Sequence, residues 1–173
     1  RLTGQDEWSY EKTMEGIVSS DLHHCPDFFP TLNDGGLWEF SGGMFLGLEP
    51  DMNKFQLGRS VLEAIGFALK RGLNLLEKEN GKVSRFITVG GQAKSPLWNQ
   101  MKADMLGRPL EIPLVADAEL LGGLIVFLTG QGAFSSLRDA SKCLYSVKEI
   151  VIPGERGYYI EKFHRYGDLS SGI

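Results

Sequence analysis

Cysteine is nearly absent. The two that occur in 173 residues, Cys25 and Cys143, lie far apart in unrelated contexts. That argues against a disulfide framework and makes a reducing, cytoplasmic setting the expectation. Positive charge is also scarce: 18 Lys and Arg stand against 22 Asp and Glu, for a formal net charge of −4. With no basic cluster to offset it, this balance argues against nucleic acid or an anionic membrane as the main partner. Long apolar runs are missing as well. The longest, around Leu120–Leu128, is interrupted by Gly122 and Gly123 and is far shorter than the roughly 20 residues that span a bilayer. No charged-then-apolar leader is present and the chain begins at Arg1 rather than Met, so a piece of a longer protein is expected. His23-His24-Cys25 has no second Cys or His pair at a suitable spacing, and reads as a surface loop rather than a metal site. There is no internal repeat and no low-complexity segment.

What is present is the usual balance of a globular domain, 42% apolar and 23% charged. It is enough chain for one sizeable core or one subdomain of something larger. Glu7–Ser19 carries Trp8, Met14, Ile17 and Val18 at helical spacing. Short β-type runs between Phe28 and Leu48, separated by NDGG (with Asp34 as a turn residue) and SGG, predict strands joined by tight turns. From Asn53 to Glu79, Gly58, Val61, Leu62, Ile65, Leu69, Leu73 and Leu76 form one apolar stripe of a long helix. Gly66 and Gly72 cost that helix roughly 1 kcal/mol each relative to Ala, for which close packing against a sheet is the expected compensation. Asn80-Gly81 ends it as a C-cap pair.

RFITV (Arg85–Val89) reads as a short buried strand, and LEIPL (Leu110–Leu114) as another. Between them a helix starts at Ser95-Pro96, with Ser as N-cap and Pro at the first helical position, and stops at Gly107-Arg108-Pro109. Ala118–Leu128 reads as a buried helix ending at Gly130, and Ser135–Leu144 as a further short one. Tyr159, Phe163 and Tyr166 suggest a final helical turn or two docked aromatically. Trp98 and Phe127 read as core, Cys143 as a small core filler, Asp104 as a helix anchor, and Glu63 as a structural hydrogen-bonding group that meets a neighbouring loop. The alternation of helix and strand in the second half gives an α/β chain.

In α/β sheets, ligands gather beyond the carboxyl ends of strands. ITVGGQAKSPLWNQ (Ile87–Gln100) puts two glycines at such an end, with a helix N-terminus behind. It is neither a Rossmann fingerprint, lacking the spaced third glycine, nor a P-loop, lacking GK[ST]. Two residues without Cβ let a flat group lie against the backbone, and a helix start favours negative charge. An adenosine with its α-phosphate suits both features. Spacing alone leaves open the plainer reading that Gly90 and Gly91 merely allow a sharp turn. It also leaves Lys94 as either a phosphate contact or a solvated lysine.

Four blocks, in order, resemble the C-terminal domain of the FGGY carbohydrate kinases. GGMFLGL (Gly42–Leu48) is similar to that family's RGAFFGL, and LGRSVLEAIGFALK (Leu57–Lys70) to its RAVLEGIAFALR. ITVGGQAKSPLWNQMKADMLGRPL (Ile87–Leu110) resembles its signature GGGAKSxxWxQxxADxLGxPV, and AELLGGLIVFLTGQGAF (Ala118–Phe134) its ALGAALLAAVGAGxF. With a tail similar to P-x(n)-Y-x(3)-Y, the resemblance covers about Phe29 to Tyr166. It implies an actin-like, ribonuclease-H-like ATPase lobe, a mixed sheet flanked by helices. Residues 1–173 would form a single domain, the C-terminal, ATP-side lobe of a two-lobe kinase. In the family, the second glycine of the pair and the residue four positions on line the adenosine pocket. Those positions are Gly91 and Ser95, with Gly90 and Gln92 as neighbours.

The resemblance further implies ATP and Mg²⁺ as cofactors and a sugar or polyol as substrate, bound mostly by the N-terminal lobe. The general base and a DxGTTxxR hairpin belong to that lobe. No catalytic or metal-ligating residue is therefore expected here, and the fragment alone is expected to be inactive. Two departures stand out. PTLNDGGLWEFSGG replaces the family's longer PYLxGERTPxWDPxARG, and Glu119–Gly123 replaces a stretch of small residues. The altered Asn33–Gly43 loop supports an alternative, a non-catalytic member of the fold that uses nucleotide or sugar binding for regulation or assembly. A homodimer is left open, as is the identity of the sugar.

Overall fold

The computed structural model describes residues 9–30, 42–154 and 156–170. The turns expected around NDGG and Trp38 lie outside the described residues. In chain order the elements are α1 (Tyr10–Val18), β1 (Asp27–Phe29), β2 (Met44–Leu46), α2 (Lys54–Asn80), a 3-10 turn (Gly91–Lys94), α3 (Pro96–Leu106), β3 (Leu110–Pro113), α4 (Ala118–Gly130), α5 (Leu137–Leu144), β4 (Val147–Val151) and α6 (Gly157–Ser170). They fall into two compact units: Arg1–Lys82 with Asp104–Leu106 and Glu155–Ile173, and Val83–Ala103 with Gly107–Gly154.

The first unit is organised by α2. Asn53 and Gln56 close a capping box at its start, with the Asn53 N–H donating to Gln56 Oε1 at 2.8 Å. Gly81, at φ 77°, ends it. The buried face, however, follows the apolar stripe read from the sequence only at Leu73. Ile65, Leu69 and Leu76 are exposed, while Arg59, Ser60, Glu63, Phe67 and Leu73 are buried. A polar face can go inside because every charge on it has a counter-charge. Arg59 Nη2 donates to Val18 O at 2.9 Å and Nη1 to Tyr159 Oη at 3.3 Å. Lys162 on α6 reaches Glu63 Oε2 at 2.6 Å, and also donates to Cys25 O and Tyr158 Oη. Glu63 is thus structural, but its partner is a lysine on a helix rather than a loop. Burial pushes its carboxyl pKa up against the opposing pull of Lys162 and Arg59.

Around this cluster sit aromatic rings. Phe29 on β1 stacks on Tyr166 at 4.5 Å, and Phe67 meets Phe163 and Tyr166 at 5.5 and 5.3 Å. The terminal aromatics therefore dock as expected, on a helix of 14 residues rather than a turn or two. β1 pairs antiparallel with β2, Asp27 opposite Leu46. His23 and His24 are exposed, and Cys25 buries its thiol against Asp21 O at 3.0 Å.

The two glycines of α2 have different explanations. A Cβ on Gly66 would collide with the Sδ and Cε of Met105, so its close approach is to the last turn of α3 and not to a sheet. A Cβ on Gly72 would meet nothing within 4 Å. Gly72→Ala should therefore raise stability by about 0.5–1 kcal/mol, the ordinary helix-propensity gain. An unchanged or lower urea midpoint would show that this position has a hidden constraint.

In the second unit β3 and β4 run antiparallel, Leu110 opposite Val151, with a register irregularity between Ile112 and Pro113. On the other side of β3, Ile87 bridges Glu111 in parallel. Thr88 N–H donates to Glu111 O at 3.0 Å, and Glu111 N–H to Phe86 O at 2.7 Å. The RFITV segment is thus a single bridge rather than a buried strand. Ile87 and Val89 are exposed, and among the described residues no strand pairs with the segment's outer edge. Its start is clamped by Arg85, whose Nε and Nη2 donate to the two Glu111 oxygens at 3.0 and 2.6 Å. Those hydrogen bonds hold the Glu111 carboxyl below its usual range.

Helix α4 forms where expected but contains no buried residue. Leu120 is 72% and Phe127 60% exposed, contrary to the expectation of a buried helix and of Phe127 as core. Cys143 on α5 is likewise exposed, not a core filler. Apolar composition reported what α4 can bury, not what is there to bury it. Trp98, by contrast, is core at 2% exposure.

Candidate functional site

The Gly90–Gly91 turn is built by three constraints within the second unit. The first is the parallel bridge at Ile87, continued by Gly90 N–H donating to Ala116 O at 2.7 Å. This lays the turn beside the loop that ends β3, one residue before Asp117. Asp117 caps α4, accepting from Leu120 N–H at 3.1 Å. The second is backbone conformation: Gly90 sits at φ 77°, ψ −166°, a region essentially reserved for glycine. The third is α3. Ser95 is buried and accepts from Trp98 N–H at 3.3 Å as its N-cap, with Pro96 at the first helical position.

Three side chains of α3 then reach back to the turn. Trp98 Nε1 donates to Gln92 Oε1 at 2.9 Å, Asn99 Nδ2 to Ala93 O at 2.8 Å, and Lys102 Nζ to Thr88 Oγ1 at 2.8 Å. The turn is therefore tied down on both sides of the glycines before any ligand is considered. Gln92 and Lys94 remain exposed.

Gly91 differs from Gly90. Its φ is not positive, and a Cβ built on it would meet nothing within 4 Å. Neither conformation nor packing among the described residues calls for glycine there. The same open space surrounds Gly122 and Gly123 on α4. The sharp turn requires glycine at Gly90 and not at Gly91.

The first unit offers a concave place of about 530 Å³, with His23, Tyr158, Tyr159, Lys162 and Arg165 among its walls. Its Lys162 is spent on Glu63, and its Arg165 donates to Asp27 Oδ2 at 3.0 Å. That wall is occupied with holding α6 in place. No helix among the described residues is long and apolar enough to cross a membrane.

A model of the FGGY family of carbohydrate kinases, C-terminal domain, matches residues 9–129. The chain belongs to that family. The match starts earlier than the Phe29 expected from the motifs, taking in α1, and it contains the whole of the Gly90–Ser95 turn. An FGGY carbohydrate kinase domain-containing protein of Xenopus laevis is 27% identical over 162 residues, covering 90% of this chain and 29% of that protein. The ligand-bound xylulose kinase of Lactobacillus acidophilus superposes with a TM-score of 0.80 at 19% identity, over 97% of this chain and 36% of that one. The glycerol kinase of Plasmodium falciparum, solved with ADP, gives 0.76 at 15% identity, over 95% and 34%. The fold is accordingly the α/β, actin-like fold of FGGY kinases. The chain spans about a third of the length of these relatives.

Sequence reading found the FGGY turn through its glycines and its Ser-Pro helix start. It missed Lys102 and Thr88, which hold the turn from behind. The available signal was spacing alone: Lys102 lies four residues after Trp98, on the same face of α3.

Proposed function

We propose that residues 1–173 are the nucleotide-side lobe of a cytoplasmic carbohydrate kinase. Its N-terminal lobe, on the same protein, would supply the general base and most of the sugar site. The closed enzyme would transfer the γ-phosphate of ATP to a hydroxyl of a sugar or polyol. One observation supports this most directly: within a segment matched to the FGGY family, Gly91 is a glycine that nothing else in the described chain requires. In this reading Gly90 shapes the turn and Gly91 is the flat floor on which adenosine rests. Gln92 offers what remains of its amide beside the floor. Ser95, its hydroxyl already capping α3, fixes the far edge.

This lobe's part in the reaction is binding and orientation, which convert a bimolecular phosphoryl transfer into an effectively unimolecular one. Mg²⁺ accompanies ATP in such chemistry. Among the described residues no group of three His, Cys, Asp or Glu could hold a metal ion, so no step is assigned to this lobe through the ion.

The test is ATP and ADP titration of the intact protein and its Gly91→Val variant. Filling the floor with an isopropyl group should weaken nucleotide binding about tenfold or more, by analogy with overpacking. The unfolding midpoint should hold, since a Cβ at this position meets nothing within 4 Å. Unchanged affinity would sink the reading. ATP consumption by residues 1–173 alone, above background with a panel of sugars, would overturn the assignment of the base to the other lobe. Nucleotide binding by the intact protein without turnover of any sugar or polyol would favour a non-catalytic, regulatory member, consistent with its altered Asn33–Gly43 loop.

A further inference from the structure

Lys102 is a buried cation of an unusual kind. The other two buried cations among the described residues, Arg59 and Lys162, each lie within 4 Å of a Glu63 oxygen. Lys102 is 5% exposed, and among the described residues no carboxylate lies within ion-pair distance of it. Its Nζ has one hydroxyl acceptor, Thr88 Oγ1, and the face of the Trp98 ring 5.6 Å away. Desolvation lowers its pKa to about 8. A methionine would fill much the same space without burying charge. Packing therefore does not account for the ammonium.

Its position does. Thr88 stands two residues before Gly90, and Gln92 directly follows Gly91. Trp98 holds Gln92 and Lys102 holds Thr88, so two side chains one turn apart on α3 grip the segment on either side of the glycines. Lys102 also lies against the Trp98 ring, so the two grips brace each other. We infer that Lys102 is a positioning residue for nucleotide binding: by tying Thr88 to α3 it sets the placement of the Gly90–Gly91 backbone against a nucleoside di- or triphosphate that it does not itself touch. The inference rests on the reading of Gly91 as the nucleotide floor.

The experiment measures ADP affinity and unfolding midpoint for the intact protein and for Lys102→Met, Thr88→Val and the double variant, with Gly91→Val as reference. Lys102→Met should weaken ADP about threefold to tenfold, the worth of one hydrogen bond in the fixed turn. Its midpoint should stay level or rise, because a buried charge has been removed. Thr88→Val should weaken ADP similarly but lower the midpoint, since the ammonium then has no acceptor. The double variant should recover the midpoint yet bind ADP no worse than either single change, because both remove the same tie. In turnover, KM for ATP should rise with little change in KM for the sugar.

Normal ADP binding by Lys102→Met, beside weakened binding by Gly91→Val, would overturn this inference and leave the nucleotide site standing. So would affinity losses that track midpoint losses and add in the double variant, the pattern of a merely structural lysine. Normal ADP binding by Gly91→Val would overturn the nucleotide reading, and this inference with it.

Discussion

Replacing Lys162 by methionine should destabilise the protein by about 3–5 kcal/mol, the usual cost of removing one partner from a buried ion pair. Its Nζ lies 2.6 Å from Glu63 Oε2 and 3.8 Å from Asp27 Oδ1, and the Lys162 and Glu63 side chains are 4% and 1% exposed. The cluster has no slack. Glu63 Oε1 and Asp27 Oδ1 already lack hydrogen-bond partners, and depend on charges nearly 4 Å away. Without Lys162, Arg59 is the ion-pair partner left to Glu63. Urea denaturation should show the loss as a lower midpoint with an unchanged slope, and Glu63→Leu in the same protein should restore much of it.

The deficit should also depend on pH. The Glu63 carboxyl titrates above its ordinary value because burial disfavours its charge, and loss of Lys162 raises it further. A raised folded-state pKa means that the native state binds a proton the unfolded state has released. The associated stability is complete below the unfolded value and is lost as pH rises through the folded one. The Lys162→Met deficit should thus shrink between pH 8 and pH 5. An equal deficit at both would mean that the exposed consequence of the substitution is not the Glu63 charge.

Gly66→Leu should cost about 2 kcal/mol or more. Even a Cβ there would collide with the Sδ and Cε of Met105, which is fully buried. Overpacking of this kind costs typically 1–3 kcal/mol, with up to about 1 kcal/mol returned by the better helix propensity of leucine. Leucine adds three carbons beyond the one that already collides, which places the expected cost at the upper end. Gly66→Leu combined with Met105→Ala should lose less than the sum of the two single changes. Strict additivity would show that Met105 is not the obstacle. The contrast with Gly72→Ala is sharp: two glycines one and two-thirds turns apart on one helix should respond with opposite signs.

Those opposite signs show what could be read in the sequence and what could not. The extent of α2 was legible from its apolar periodicity beginning near Asn53 and from Asn80-Gly81 at its end, and the structure adds a capping box of Asn53 with Gln56 at the start. Its buried face was not. Ile65, Leu69 and Leu76 make the better apolar stripe, yet Arg59 and Glu63 go inside because Lys162 and Tyr159 arrive from α6, far along the chain. Local periodicity has no access to a partner that distant. Helix α4 failed in the opposite direction, since its composition describes a capacity for burial that the described residues leave unused. The FGGY turn was the most legible part. Ser95, Pro96 and Gly90 are local signals for local geometry, and the structure realises each of them: the N-cap, the first helical position and the positive φ. Lys102 escaped notice because lysine within a helix is ordinarily solvated, and only three dimensions show it lying against Trp98 and Thr88.

The Glu63–Lys162 pair also orders events during synthesis. The two residues are 99 positions apart, which at ribosomal speeds of about 5–20 residues per second is a delay on the order of 5–20 s. Through that interval the nascent chain contains α2, with Arg59 beside Glu63, but neither Lys162 nor the α6 rings that cover the buried face of α2. The first unit must therefore wait, with Glu63 and Asp27 still hydrated, while Val83–Gly154 emerges and its more local pairings can form. Helix α6 is then the closing step of the unit to which α1 and α2 belong. A ribosome stalled after Gly154 would hold a chain in which the later-made Val83–Gly154 segment can fold before the earlier-made α1 and α2.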